Sequence, residues 1–262
     1  MNVIQLMGGL GNQMFQYAFG KAQMNNGIDV SFDDTWYHRE RTMKEQLYQN
    51  KFPRLFGLDK FNTNLVISKF LKQNNIHENG LNIDYLKCEN SNMLGYWQYL
   101  VYYENIISDL QKDFILLEEN HTKEYLQFAE QITKNESVSL HVRRGDYIGR
   151  GGFGALPFSY YVQALQYAPG EIFIFSDDLQ WCKSIFDQGY FSRKITFVGL
   201  QDYQDLELMR LCSHNIISHS TFSWWAAMLN QNDKKIVVAP KNWIFGEMKT
   251  PEVIYPKTWI LL

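Results

Sequence analysis

Residues 195–239, ITFVGLQDYQDLELMRLCSHNIISHSTFSWWAAMLNQNDKKIVVA, decide the fold class, because short apolar runs alternate there with stretches whose apolar residues recur at helical spacing. The pattern reads as strand Ile195–Val198, helix Asp202–Cys212, strand Asn215–Ile217, helix Trp224–Asn230 and strand Lys235–Ala239. Working outward toward the N-terminus, strand Val138–Val142, helix Ser159–Tyr167, strand Ile172–Phe175 and helix Leu179–Phe186 continue the same rhythm. Strict alternation predicts a parallel sheet with helices on both faces. Val3–Met7 is a further apolar run, closed by Gly8-Gly9 and followed by an amphipathic stretch from Asn12 to Asn25, Gly27 and the alternating run Ile28–Asp33. That is strand, glycine turn, helix, strand. Between these blocks, Leu81–Leu86 and Met93–Tyr96 read as strands and Tyr102–Phe114 and Thr122–Lys134 as helices, while residues 35–70 give only short helices and loops. The polar end of the last helix places a boundary between a lobe of residues 1–134 and one of residues 135–262, both Rossmann-like.

A chain of 262 residues with 45% hydrophobic content has enough apolar material for two compact lobes. The formal charge of -3 provides no general attraction for nucleic acid or an anionic membrane, so any phosphate site must be local. Cys88, Cys182 and Cys212 are odd in number and far apart, which predicts reduced thiols in a cytoplasmic protein and argues against structural zinc. No stretch approaches the ~18 apolar residues of a membrane span, and the N-terminus lacks the layout of a signal peptide. The expected location is the cytoplasm, either free or peripheral to the inner face of a membrane. Two glycosylation sequons, at Asn120 and Asn135, carry no meaning in such a compartment.

In open parallel sheets, ligands bind beyond the carboxyl ends of strands, and the chemically informative residues fall there. The strand ending at Val142 runs into Arg143-Arg144-Gly145-Asp146. A guanidinium fork at a strand end suits a diphosphate, offering paired donors and fixed charge; the plainer alternative is an interdomain salt bridge, with Asp146 as a candidate partner. Alternation puts His141 and Arg143 on one face and Arg144 on the other, which predicts different roles for the two arginines. Ser176-Asp177-Asp178 opens the next helix, where the carboxylates serve either as caps or as acceptors for the N1 and N2 protons of guanine. Ser218-His219-Ser220-Thr221-Phe222-Ser223 is a hydroxyl-rich turn entering an apolar helix, read either as an anion site or as simple capping by Ser220 or Ser223.

The first turn, Gly8-Gly9-Leu10-Gly11-Asn12-Gln13, is similar to the dinucleotide fingerprint, with Asp33 where a ribose-binding acid would stand. Met14 replaces the third glycine, and its bulk opposes close helix-to-strand packing. The turn is read either as a place where backbone approaches a ligand or as a glycine turn needed only for geometry, and with Asp33 it makes an NAD-dependent oxidoreductase a rival reading. A phosphate-binding G-x-x-x-x-G-K-[ST] loop, H-E-x-x-H, a G-x-S-x-G elbow and an Asp-x-Asp triplet are all missing, so neither metal nor other cofactor is expected. Without a divalent ion, protein cations and amides must take up the charge of a departing diphosphate, which joins Arg143 to the serine turn.

Three segments, GGLGNQMFQYAFG at residues 8–20, HVRRGDY at 141–147 and ISHSTFSWWAA at 217–227, together about an eighth of the chain, resemble the alpha-1,2-fucosyltransferase family, glycosyltransferase family 11. The H-x-R-R-G-D element is similar to that of alpha-1,6- and protein O-fucosyltransferases. The resemblance implies a GT-B-like fold of two lobes facing each other across a cleft, a GDP-fucose donor held by the C-terminal lobe, inversion at the sugar carbon and a galactoside acceptor in an oligosaccharide or glycolipid. It further implies that Arg143 binds the beta-phosphate and His141 the nucleotide portion, with Arg144, Ser220, Thr221 and Phe222 in the same donor site. Asp177 or Asp178 would read guanine, Gly9 and Gly11 would let backbone approach the donor, and Asn12 would face the reacting sugar. Asp146 joins the catalytic set and is also a candidate base, beside Asp33, Asp34 and His38. Other linkages, alpha-1,6 or alpha-1,3, and a non-catalytic sugar-nucleotide-binding module are the remaining rivals.

Overall fold

The structure, a computed structural model, describes residues 1–51, 54–148, 154–243 and 251–262. It divides into two compact units, Met1–Ile115 and Leu116–Leu262.

The first unit runs β1 (Asn2–Gln5), α1 (Leu10–Asn25), β2 (Val30–Asp33), α2 (Thr35–His38), α3 (Met43–Lys51), β3 (Asn74–His77), β4 (Ser91–Leu94) and α4 (Ile107–Asp113). Its four strands form a parallel sheet in the order β2-β1-β4-β3. The core is aromatic: Phe19 of α1 stacks on Trp97 at 4.1 Å and 8° between planes, and Tyr17 stacks on Phe32 at 5.5 Å. Each such pair adds about 0.5–1.5 kcal/mol to the burial of its rings. The close approach of helix and sheet comes from Gly20, where a Cβ would stand 2.7 Å from Phe32 Cζ and 2.8 Å from Ile4 Cδ1. Met14, expected to oppose that approach, is instead fully buried in the core.

Two expectations fail in this unit. Leu81–Leu86 is not a strand: Ile83–Lys87 forms a short 3-10 turn capped by the Asn82 side chain, and Leu81 and Ile83 are exposed, so they face no sheet. The outer strand is β3, whose sequence NNIH carries no apolar signature and whose place rests on its ladder with β4. Tyr102–Phe114 begins as two 3-10 turns and becomes α-helical only at Ile107.

The second unit runs α5 (Lys123–Lys134), β5 (Ser137–Val142), α6 (Phe158–Ala164), β6 (Glu171–Ser176), α7 (Leu179–Phe186), β7 (Ile195–Val198), α8 (Asp202–Leu211), β8 (His214–Ile216), α9 (Thr221–Leu229), β9 (Val237–Ala239), α10 (Pro251–Ile254) and β10 (Ile260–Leu261). The parallel sheet has the order β10-β9-β8-β5-β6-β7. All six residues of β5 are buried, as a central parallel strand covered on both faces requires. The unit begins before the boundary expected at residue 134, because α5 belongs to it. The side-chain amide of Gln204 at the start of α8 donates to Asn120 O at 2.8 Å and Thr122 Oγ1 at 3.2 Å, tying the α5 cap to α8.

The direction of winding reverses beside β5. The chain goes from β5 to β6 and β7 on one side, then crosses to β8, β9 and β10 on the other. Such a reversal opens a crevice at the carboxyl ends of the two adjacent strands, here β5 and β8.

Candidate active site

The carboxyl ends of β5 and β8 carry, respectively, Arg143-Arg144 and the Ser218–Ser220 turn. Register explains the partners of the arginines. In the β5–β6 ladder the last paired positions are Val142 and Ser176, so the next residues along the two strands, Arg143 with Asp177 and Arg144 with Asp178, emerge side by side. Arg143 Nη1 lies 2.9 Å from Asp177 Oδ2, and Nη2 donates to Asp146 Oδ1 at 2.5 Å. Arg144 Nε donates to Asp178 Oδ2 at 3.1 Å, its backbone amide donates to Asp177 Oδ1 at 2.8 Å, and its guanidinium lies 3.8 Å from the centre of the Trp181 ring. The two arginines thus converge on one acidic pair rather than leaving on opposite faces, because the chain turns out of strand geometry after Val142.

The salt bridge read as the alternative for Arg143 is not interdomain: its partner Asp146 lies in the same unit, one 3-10 turn away. It leaves the guanidinium anchored at two points and 19% exposed along the side chain. Burial works against its charge, but Asp177 and Asp146 outweigh that and raise its pKa above the ordinary value. Tyr147, whose ring centre is 5.4 Å from the guanidinium, donates from its hydroxyl to His219 O at 2.7 Å and so links the arginine strand to the serine turn.

On the β8 side, His141 and Ser218 join the two strand ends through a hydrogen bond of 2.9 Å between Nδ1 and Oγ. Burial, with the charge of Arg143 adding to it, lowers the His141 pKa to about 3, so the imidazole is neutral at physiological pH. Phe222 covers it, ring centres 5.5 Å apart. Tyr160 donates its hydroxyl to Ile217 O at 2.8 Å and holds the end of β8. Burial likewise lowers the His219 pKa to about 4. Ser220 is the N-cap of α9 by position, yet its hydroxyl makes no cap hydrogen bond. The Ser223 hydroxyl donates to Ser220 O at 3.4 Å rather than capping. Simple capping therefore does not account for this turn: the leading amides of α9, starting at Thr221, have no partner inside the helix and form the positive end of its dipole.

Of the acidic pair, Asp178 is the true cap, accepting from Trp181 N at 3.1 Å, whereas Asp177 spends both oxygens on the arginines. Tyr147, Trp181, Ser218 and His219 complete this site. In the sequence Tyr147, Ser218 and His219 stand inside the quoted motifs with no role of their own and Trp181 stands outside them; what singles out Tyr147 and Trp181 in the structure is an aromatic ring within reach of each arginine.

Gly9, Gly11 and Asn12 form a second group inside the first unit. Gly8 adopts φ +84, Gly9 is the N-cap of α1, and Gly11 and Asn12 lie in its first turn. The turn is locked by glutamines of its own helix. Gln13 Nε2 donates to Leu55 O at 2.8 Å, Gln16 Oε1 accepts from Met7 N at 2.9 Å, and both side chains are fully buried. Tyr37 donates its hydroxyl to Gly8 O at 3.0 Å, and Gln98 Nε2 donates to Asn12 Oδ1 at 3.0 Å.

Asp33 does not stand ready for a ribose: its Oδ1 accepts from Thr35 N at 2.8 Å and its Oδ2 from Phe70 N at 3.0 Å, fixing the loops beyond β2. The same bonds make it a poor base, and Asp146 is committed to Arg143. Asp34 and His38, 3.2 Å apart and partly exposed, remain of the four base candidates.

The profile described as Glycosyl transferase family 11 matches residues 1–262. The O-antigen biosynthesis glycosyltransferase WbnK of Escherichia coli is 30% identical, over 94% of this chain and 95% of that protein. The alpha-1,2-colitosyltransferase of Escherichia coli is also 30% identical, over 98% of this chain and 97% of that protein. Galactoside 2-alpha-L-fucosyltransferase Sec1 of Mus musculus is 25% identical, over 99% of this chain and 73% of its own length. Among solved structures, NodZ alpha-1,6-fucosyltransferase soaked with GDP-fucose matches with a TM-score of 0.51 at 14% identity, covering 87% of this chain and 92% of that one, which shows a shared GT-B-like fold. With its motifs gathered at the carboxyl ends of two parallel sheets and the profile matched from end to end, the chain belongs to glycosyltransferase family 11.

Proposed function

We propose that the chain transfers L-fucose from GDP-beta-L-fucose to the 2-hydroxyl of a terminal beta-galactoside, with inversion and without a metal ion. The observation that carries this reading is Arg143, braced by Asp146 and Asp177 at the winding reversal, beside the uncapped N-terminus of α9. A fixed guanidinium and a set of oriented amides stabilise negative charge as it develops on a leaving diphosphate, and being preorganised they need no rearrangement at the moment of reaction. The acceptor oxygen bonds to the anomeric carbon as the bond from that carbon to the phosphate oxygen breaks. The electron pair of that bond stays on the diphosphate, and the acceptor proton passes to a carboxylate or to water.

In this reading Arg143, Ser220, Thr221 and the first amides of α9 take the phosphates, while neutral His141 with Phe222 flanks them. Arg144, Asp177 and Asp178 lie toward guanine and Asp146 keeps Arg143 charged and aimed, while Gly9, Gly11 and Asn12 of the first unit are the residues that the motif resemblance assigns to the donor and the reacting sugar. The motif resemblance and the mouse relative support fucose and galactoside. The colitosyltransferase relative supports a second reading, with a colitosyl donor and the same 1,2 linkage. Among the described residues, no helix is long and apolar enough to cross a membrane. The test is incubation with GDP-fucose, and separately with GDP-colitose, over a panel of lactose, N-acetyllactosamine and other beta-galactosides in the presence of EDTA, with product linkage read by NMR. A 1,2-linked fucoside formed at an unchanged rate is expected. Absence of GDP affinity, or turnover abolished on chelation and regained with manganese, would overturn the proposal.

A further inference from the structure

We infer that Gln98 is a positioning residue for transfer, acting through Asn12, and that Glu78 sets Gln98 in place; this rests on the reading of Asn12 as facing the reacting sugar. A side-chain amide can present either its oxygen or its NH2 group to a substrate, and a half turn exchanges them. Here the choice is made by Gln98, whose Nε2 donates to Asn12 Oδ1 at 3.0 Å. The oxygen of Asn12 is thereby engaged, and its Nδ2 donors are what it can offer to a hydroxyl or phosphate oxygen. Gly8 makes the room for that orientation: a Cβ there would stand 2.8 Å from Asn12 Nδ2.

Gln98 in turn is aimed by an unusual piece of backbone. Trp97 adopts φ +55, a left-handed conformation that a bulky residue rarely takes, and is fully buried against Phe19. The bend is held by Glu78 at the end of β3, whose Oε2 accepts from Tyr96 N at 2.7 Å and Trp97 N at 3.0 Å. Glu78 N donates to Leu94 O at 2.8 Å, and Gly95 lies so near that a Cβ would meet Glu78 Cβ at 2.5 Å. One carboxylate therefore fixes two consecutive amides, and the residue that follows them is the one that orients Asn12.

The test uses the full chain with GDP-fucose and lactose, and GDP affinity by calorimetry. Gln98→Glu nearly preserves shape but replaces the donor by an acceptor, so the Asn12 amide turns over. Misplacement of a single group near the reacting atoms commonly costs around a hundredfold, so kcat is expected to fall roughly 10- to 100-fold. GDP affinity should be unchanged. In the Asn12→Ala background the same change should add less than about twofold, because residues acting as a unit do not contribute independently. Glu78→Gln, which still accepts from both amides, should retain turnover that Glu78→Ala loses. If Gln98→Glu fails to fold, Gln98→Met removes the donor with an apolar side chain and is read in the same way. Wild-type kcat in the Gln98 variant while Asn12→Ala is impaired, or losses that multiply in the double variant, would overturn the proposal alone. Wild-type turnover in Asn12→Ala would overturn the placement of Asn12 and the proposal with it.

Discussion

Replacing Arg143 by lysine separates charge from geometry. The guanidinium reaches Asp177 through Nη1 and Asp146 through Nη2, and one ammonium cannot occupy both places. Each charge-assisted hydrogen bond contributes about 1.5–3 kcal/mol net. Lysine keeps one of the two bonds, and the side chain is 19% exposed, so the lower end applies and Arg143→Lys should cost about 1.5 kcal/mol of stability. Arg143→Met breaks both charge-assisted bonds, to Asp177 and Asp146, so about 3 kcal/mol is expected. In a chain of this size those penalties correspond to thermal midpoints lower by roughly 3–6 °C and 6–12 °C. The kinetic effect is separate: removing one preorganised donor to the developing charge should reduce kcat by roughly 10²–10³ in either variant. The assay pairs thermal unfolding with initial rates for GDP-fucose well below the melting range. Lysine supporting turnover within about fivefold of wild type would refute the claim that paired geometry, rather than positive charge, is what the reaction requires.

Gly20→Ala should destabilise by about 1–3 kcal/mol, since its methyl group would press on Phe32 and Ile4, while rate per folded molecule at low temperature stays unchanged; chemical denaturation measures the first and burst-corrected kinetics the second. Asp178→Ala removes the α7 cap and the Arg144 partner together, and a drop of about 1–2 kcal/mol is expected in the same denaturation experiment. His141 and His219 have folded pKa values lowered to about 3 and about 4, so the unfolded chain binds more protons between those values and the ordinary histidine range. Their contribution is therefore fully present above about pH 6.5 and is lost as pH falls through the folded values, at up to about 1.4 kcal/mol per pH unit for each group. His219→Asn should flatten that acid limb; an unchanged slope would show that the imidazole is not buried neutral.

How much of this is legible in the sequence depends on what each segment buries. Strands β5, β6 and β8 are central and covered on both faces, so their composition announces them, and the hydroxyl turn after β8 is visible with them. Strand β3 cannot be read that way, because NNIH lies outermost and its position comes from a backbone ladder that no side chain advertises. Leu81–Leu86 misleads for the converse reason: apolar residues at Leu81 and Ile83 are spent on the surface. Within the site, Asp146 can be paired with Arg143 from its spacing along one turn. Asp177 and Asp178 cannot be joined to the two arginines until the β5–β6 register is known, and the role of Asp33 is obscured because one of its hydrogen bonds goes to a backbone amide far along the chain.

The ion pairs at the end of β5 set the character of any ligand that lodges there. Two guanidinium groups meet three carboxylates, Asp146, Asp177 and Asp178, so the neighbourhood carries a formal sum of one negative charge. Long-range attraction of phosphate is consequently not on offer, and orthophosphate or a short polyphosphate should be a poor competitor for GDP. Selectivity then falls to the parts of a ligand beyond its phosphates, which must supply contacts of their own.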